Sequence, residues 1–264
     1  MPQGVDCVSP PRHSSFDTPR GLLEFLARLR ELSGGKPVGF KLCVGHPSEV
    51  LGICKAMLAT GIRPDFIVVD GGEGGTGAAP VEFTDHVGAP LREGLVLLHN
   101  ALVGSGLREH VRIGASGKLL SGFDIACAMA LGADWANSAR GFMLALVCLQ
   151  SRRCHTNKCP TGVATQDPGL QRGLVVPDKA TRMQNCHHHT VDALAALVAA
   201  AGLSHPRELR PSHVLLRTRA GEVRSLDQVY GFLEPRALAA GAGRAWLCRA
   251  WQAASADSFV GGSA

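Results

Sequence analysis

Asp65-Phe-Ile-Val-Val-Asp70 runs directly into Gly71-Gly-Glu-Gly-Gly-Thr-Gly77, and the reading of this junction decides the fold. A short apolar run bounded by acids, rich in β-branched residues, has the character of a strand buried on both faces of a parallel sheet. Five glycines in the next seven residues cannot make a packed strand. Such a segment suits close approach to a ligand or to another backbone, with a mobile surface loop as the competing reading.

Outward from that junction, strand and helix patterns alternate. Upstream lie an extended connector at Ser9-Pro-Pro-Arg-His13, a helix over Thr18–Leu32 and an alternating strand at Pro37-Val-Gly-Phe-Lys-Leu42. A second helix spans Pro47–Thr60. Downstream follow a helix at Leu91–Gly104, a strand at His110–Gly114, a helix capped by Ser121 with Asp124 three residues on, and a strand at Asp134–Asn137. Four strand–helix alternations predict βαβ units and a parallel sheet. The glycine-rich turns fall after strands, where α/β proteins including (β/α)8 barrels build their sites. Eight strands are needed to close such a barrel, and four are legible, so the expected fold is α/β of the (β/α)8 TIM-barrel type, present as half a barrel. A helical segment near Asp178–Ala201, a basic stretch, and an Ala/Gly/Arg-rich tail from Pro235 complete the chain, with Ala253–Ala264 expected to be disordered.

Three features carry chemistry. Gly114-Ala-Ser-Gly117 and Ser138-Ala-Arg-Gly141 each follow a strand. Glycine lets backbone N–H groups approach an anion, the helix after Ser121 adds the positive end of its dipole, and Arg140 can pair with a phosphate oxygen. Ordinary βα turns are the alternative. Lys41 sits on the strand face opposite Phe40 and Leu42, which points an ammonium toward a barrel mouth or leaves it exposed at a strand end. Cys148, Cys154 and Cys159 form C-x5-C-x4-C, closed by Pro160. Zinc with His155 as fourth ligand, a disulfide, and chance all stay open, while three thiols without an obvious fourth suit a three-iron cluster. Cys186 is an unforced fourth partner. His187-His188-His189 point in different directions around a helix and read as surface or interface residues.

Composition sets the bounds. Of 264 residues, 45% are hydrophobic and 19% charged, ordinary globular material with a sizeable core. The net charge of +5 is dispersed and the chain has one tyrosine, so no nucleic acid partner is expected. No apolar run reaches a membrane-spanning length and the first residues lack a signal-peptide pattern, so no membrane is expected and a cytoplasmic location is. Of the nine cysteines only the trio is a constellation. Scattered ones such as Cys43, Cys54 and Cys127 read as small buried hydrophobes.

Taken together, the connector Ser9–His13, Pro37–Leu42, Gly74-Gly-Thr-Gly-Ala-Ala-Pro80 and Cys154-His-Thr-Asn-Lys-Cys-Pro-Thr-Gly-Val-Ala-Thr-Gln-Asp167 occur in an order that resembles the FMN-binding synthase domain of glutamate synthase. The resemblance runs to about Leu203. It implies residues 1–203 as a partial FMN-binding barrel with an iron–sulfur loop at 148–160, and 204–264 as a C-terminal extension. It implies FMN and a 3Fe-4S cluster, and reduction of 2-iminoglutarate, formed from 2-oxoglutarate and ammonia, to L-glutamate. Cys148, Cys154 and Cys159 are then cluster ligands, and Lys41 contacts flavin or substrate. Gly74, Gly75, Thr76 and Gly77 lie near substrate, and Gly114, Ser116, Gly117, Ala139, Arg140 and Gly141 hold the flavin phosphate. Lys41 and Glu73 are the expected catalytic residues, with Glu73 standing where the large enzymes are expected to carry aspartate. Expected partners are an electron-donor protein or NADPH-oxidising subunit, and a second copy or complementing N-terminal half, since the chain starts partway through the family's barrel. A related FMN-dependent 2-hydroxy or 2-oxo acid oxidoreductase, and a non-catalytic half-barrel, are the alternatives.

Overall fold

The computed structural model describes residues 12–75, 79–80 and 82–261. Its elements run α1 (Pro19–Leu32), β1 (Gly39–Leu42), α2 (Pro47–Thr60), β2 (Phe66–Asp70), α3 (Leu91–Gly104), β3 (Arg112–Ser116), α4 (Gly122–Ala130), β4 (Trp135–Asn137), α5 (Arg140–Ala145), α6 (Pro168–Gln171) and α7 (Val176–Ala200). Then come β5 (Leu215–Arg217), β6 (Val223–Ser225), α8 (Leu226–Tyr230) and α9 (Ala245–Ala253). The protein is α/β, with β1-β2-β3-β4 in consecutive order and every pairing parallel. The sheet is open among the described residues.

Local chemistry sets the helix boundaries. Thr18 caps α1 through its side chain, and Pro19 follows at the first helical position, where its missing N–H costs nothing. His46 and Glu49 form a reciprocal capping box on α2, and Gly61 ends it in the left-handed conformation. Ser121 and Asp124 do the same at the start of α4, as their spacing predicts.

The register sorts the strands by face. Ile67, Val69, Ile113 and Ala115 are buried against α2, α3 and α4 in one hydrophobic core. The alternate residues Phe66, Val68 and Trp135, with Lys41, Asp70, Ser116 and Asn137 toward the strand ends, share the other face. There the Phe66 and Trp135 rings meet edge to face at 5.8 Å. Gly114 lies beneath Trp135, where a Cβ would come within 2.6 Å of the indole. β3 runs two residues later than the sequence pattern predicts, because its ladders to β2 and β4 continue through Gly114 to Ser116 instead of stopping at the glycine.

The C-terminal region departs most from expectation. Residues beyond 204 form an antiparallel β5–β6 hairpin and two helices, and Leu209, Val214, Leu226, Leu238 and Leu247 are buried in the same core as the sheet. The tail expected to be disordered instead packs back. The Ala256 carbonyl accepts from the Arg20 N–H at 3.0 Å, Asp257 pairs with Arg20 at 2.7 Å, and the Ala254 carbonyl accepts from Lys55 Nζ at 2.8 Å. Small residues let this segment lie close on α1 and α2, where polar composition alone reads as disorder. Only 262–264 of it fall outside the described residues.

Candidate functional site

A cavity of about 560 Å³ opens at the C-terminal ends of β1 to β4. Each strand contributes a polar side chain from the face away from the helices: Lys41, Asp70, Ser116 and Asn137. Lys41 Nζ pairs with Asp70 Oδ2 at 2.8 Å. Lys118, Arg140 and Arg152 also line the cavity, so four cations face a single carboxylate, Asp70. Lys118 is itself paired with Asp85. A site with this balance and volume suits an anionic ligand of cofactor size.

The turns supply close backbone approach. Gly74 lies against the Asp70 carboxylate, leaving no room for a Cβ. Gly117 adopts φ +139, and a Cβ there would meet the Gly71 nitrogen at 3.0 Å. Gly71 N–H donates to the Ser116 carbonyl at 2.8 Å, so the glycine-rich run is hydrogen-bonded to the end of β3. Ala139 and Arg140 line the cavity, with Gly141 buried behind them. Gly114 sits deeper, under Trp135. Thr76 and Gly77 lie outside the described residues.

Glu73 sits beside the start of α3. It does not line the cavity; both carboxylate oxygens accept from the Leu91 N–H at 3.0 Å, at the first residue of α3. A carboxylate there satisfies an orphan donor and meets the positive end of the helix dipole. The side chain turns toward α3 because Gly72 N–H is bonded to the Ala89 carbonyl at 2.8 Å, which holds the loop against the start of that helix.

Cys148, Cys154 and Cys159 all line the same cavity. Among the described residues no three His, Cys, Asp or Glu side chains converge as a site for one metal ion. A three-iron cluster distributes its thiolates over separate irons, so it needs thiols around one space and not at one point. Burial pushes the Cys159 thiol up, yet the Thr161 hydroxyl and the backbone N–H groups of Ala164, Thr161 and Val163 outweigh it and bring the thiol down to about 7. The loop also holds Val147, Gln150, Arg152 and Asn157 at φ between 53° and 65°. Left-handed backbone at non-glycine residues, one of them β-branched, is kept only where the surroundings impose it. Asn157 contributes by accepting from Gln166 N–H at 2.6 Å.

Asp70 went unnoticed in the sequence, although a carboxylate ending a buried strand on the face of Lys41 is the available signal. Lys118, Asn137 and Arg152 carried no motif signal. Cys54 and Cys127 are buried as expected, whereas Cys43 is exposed. His187, His188 and His189 are exposed on α7, with His187 stacked on Phe142. No described helix is long and apolar enough to cross a membrane.

Residues 1–204 match the family described as the conserved region in glutamate synthase. The chain is 43% identical over 226 residues to the glutamate synthase large subunit-like protein YerD of Bacillus subtilis, covering 86% of this chain and 43% of that protein. It is 34% identical over 220 residues to the archaeal glutamate synthase [NADPH] of Methanocaldococcus jannaschii, covering 82% and 42%. With the ferredoxin-dependent glutamate synthase 1 of Arabidopsis thaliana it shares 32% over 218 residues, covering 82% and 13%. The chain thus spans less than half the length of these relatives. Among solved structures, a mutant flavocytochrome b2 with pyruvate bound aligns at 16% identity and a TM-score of 0.43, covering 70% of this chain and 36% of that one.

Proposed function

Because this chain belongs to the glutamate synthase family, we propose that the cavity at its strand ends binds FMN and the substrate of a reductase that converts 2-iminoglutarate to L-glutamate. The observation that carries this reading is the convergence of Lys41, Asp70, the two glycine turns, Arg140 and the three cysteines on one cavity. Bound FMN supplies the hydride that reduces the imine carbon.

The chain's own part is binding, orientation and charge. The Gly117 turn and Arg140 hold the phosphate, where a backbone without a Cβ admits an anion closely. Lys41, held by Asp70, neutralises a substrate carboxylate or the electron-rich ring, and Lys118 and Arg152 add positive charge at the mouth. Gly74 and Gly75 bring the loop backbone against the substrate. Cys148, Cys154 and Cys159 would hold the 3Fe-4S cluster beside it, and an electron-donor protein or NADPH-oxidising subunit delivers electrons.

The open sheet favours a further element of the reading. β1 and β4 each pair on one side only, and a parallel sheet in solution needs its edges covered. Among the described residues both edges of this sheet are therefore open to a partner surface, such as a second copy or a complementing half-barrel. An anaerobic visible spectrum of the full chain, with flavin and iron quantified, tests the proposal. About one FMN and three irons per chain support it. A colourless chain that also stays colourless after incubation with FMN, iron and sulfide refutes it for this chain alone.

A further inference from the structure

We infer that the protein has a second ligand pocket, between α2, α3 and the C-terminal extension, that takes a small amphipathic anion. This does not depend on the flavin reading. The pocket has a volume of about 370 Å³, within the range of small-molecule sites. Its wall is apolar, with Val96 and Leu97 from α3 facing Phe232, Leu233 and Leu247 from the extension. About half of its lining residues, Arg244 and Trp246 among them, lie beyond 204, outside the conserved family region.

The polar groups in the pocket are few and unequal in availability. Asn100 is satisfied, its amide donating to the Gly231 carbonyl at 3.1 Å and its oxygen accepting from the Leu233 N–H at 3.0 Å. Glu93 accepts from the Tyr230 hydroxyl at 3.2 Å. Arg244 is different. Its guanidinium lies over Gly231 at the pocket, is exposed, and forms no ion pair among the described residues. Trp246 stands beside it, 45% exposed. An uncommitted guanidinium and an indole at the rim of an apolar pocket suit a ligand with a flat or branched apolar body and one carboxylate or sulfonate.

The pocket also touches the loops that shape the strand-end cavity. Val44 and Ala89 line it. Ala89 N–H donates to the Val44 carbonyl, and the Ala89 carbonyl accepts from Gly72 N–H, both at 2.8 Å. The pocket-lining Ala89 is therefore hydrogen-bonded through its backbone to the glycine-rich run.

The test uses 8-anilinonaphthalene-1-sulfonate as the probe, titrated by fluorescence into the full chain and into R244Q and W246A. Both changes are at exposed side chains, and far-UV circular dichroism verifies that the fold persists. Affinity is expected to fall about tenfold in R244Q and several-fold in W246A. In the wild type, amide exchange is expected to slow in residues 226–247 and at Ala89 and Gly72 when the probe is bound. The proposal is overturned if both variants bind the probe as the wild type does, or if protection is confined to the cavity around Lys41 and Asp70.

Discussion

Acid should destabilise this protein through His99, and by a predictable amount. The side chain lies on α3, packed edge to face on Phe232 at 5.7 Å and against Gly132. Its Nδ1 is buried with no hydrogen-bond partner. Burial, and secondarily the Arg108 guanidinium, lower its pKa from the ordinary 6.5 to about 4, with Asp134 opposing them. Between those values the unfolded chain binds a proton that the folded one does not, so stability falls as pH falls from 6.5 toward 4. At about 1.4 kcal/mol per unit, a difference of about 2.5 units corresponds to about 3 kcal/mol. His99→Phe removes the titration while keeping a ring against Phe232. Any offset from the larger ring at pH 7 does not vary with pH. Urea unfolding of both proteins at pH 7, 6, 5 and 4 should therefore show the variant gaining about 3 kcal/mol relative to the wild type across the window. A stability difference that stays constant with pH would show that His99 is either solvated or paired in the folded state.

Three further outcomes follow from the site. Glu73→Ala removes the acceptor for the Leu91 N–H and should cost about 1 kcal/mol in urea unfolding with flavin affinity unchanged; weaker flavin binding at unchanged stability would restore Glu73 to the site. Lys41→Met strands the Asp70 carboxylate and should weaken FMN binding about tenfold, or about 1.4 kcal/mol, as read by flavin fluorescence quenching. Equal affinity in variant and wild type would remove Lys41 from the cofactor site. Cys159→Ser should bring bound iron to about zero while leaving flavin content intact, and wild-type iron content in that variant would refute the ligand assignment.

The strand–helix alternation was legible because it rests on local patterns. The apolar run before Gly71 marked β2, and the pairing of Ser121 with Asp124 marked the start of α4. The bounds of α2 and α3 matched the sequence pattern residue for residue. The cysteine trio and the glycine turns also stood out by residue type and spacing, and the structure brings Cys148, Cys154, Cys159 and Gly117 to one cavity. What failed were judgements that depend on distant contacts. Gly114 reads as a strand end until its neighbours Ala115 and Ser116 are seen to pair with β2 and β4. The contact of the Glu73 carboxylate with the Leu91 N–H, 18 residues on, has no signal in the sequence. The tail reads as disordered because its hold on the protein comes from Arg20 and Lys55, more than 190 residues earlier.

The sequence alone determined that this is a parallel α/β protein with its glycine-rich turns after the strands. Tertiary structure alone decided which of the nominated residues meet. It joined Lys41 to Asp70 across two strands, withdrew Glu73 to a helix end, and carried the 204–261 segment into the common core. The physical reason is range. Hydrophobic period, caps and glycine turns act over a few residues, whereas an ion pair or a buried contact depends on how neighbouring strands are set in register.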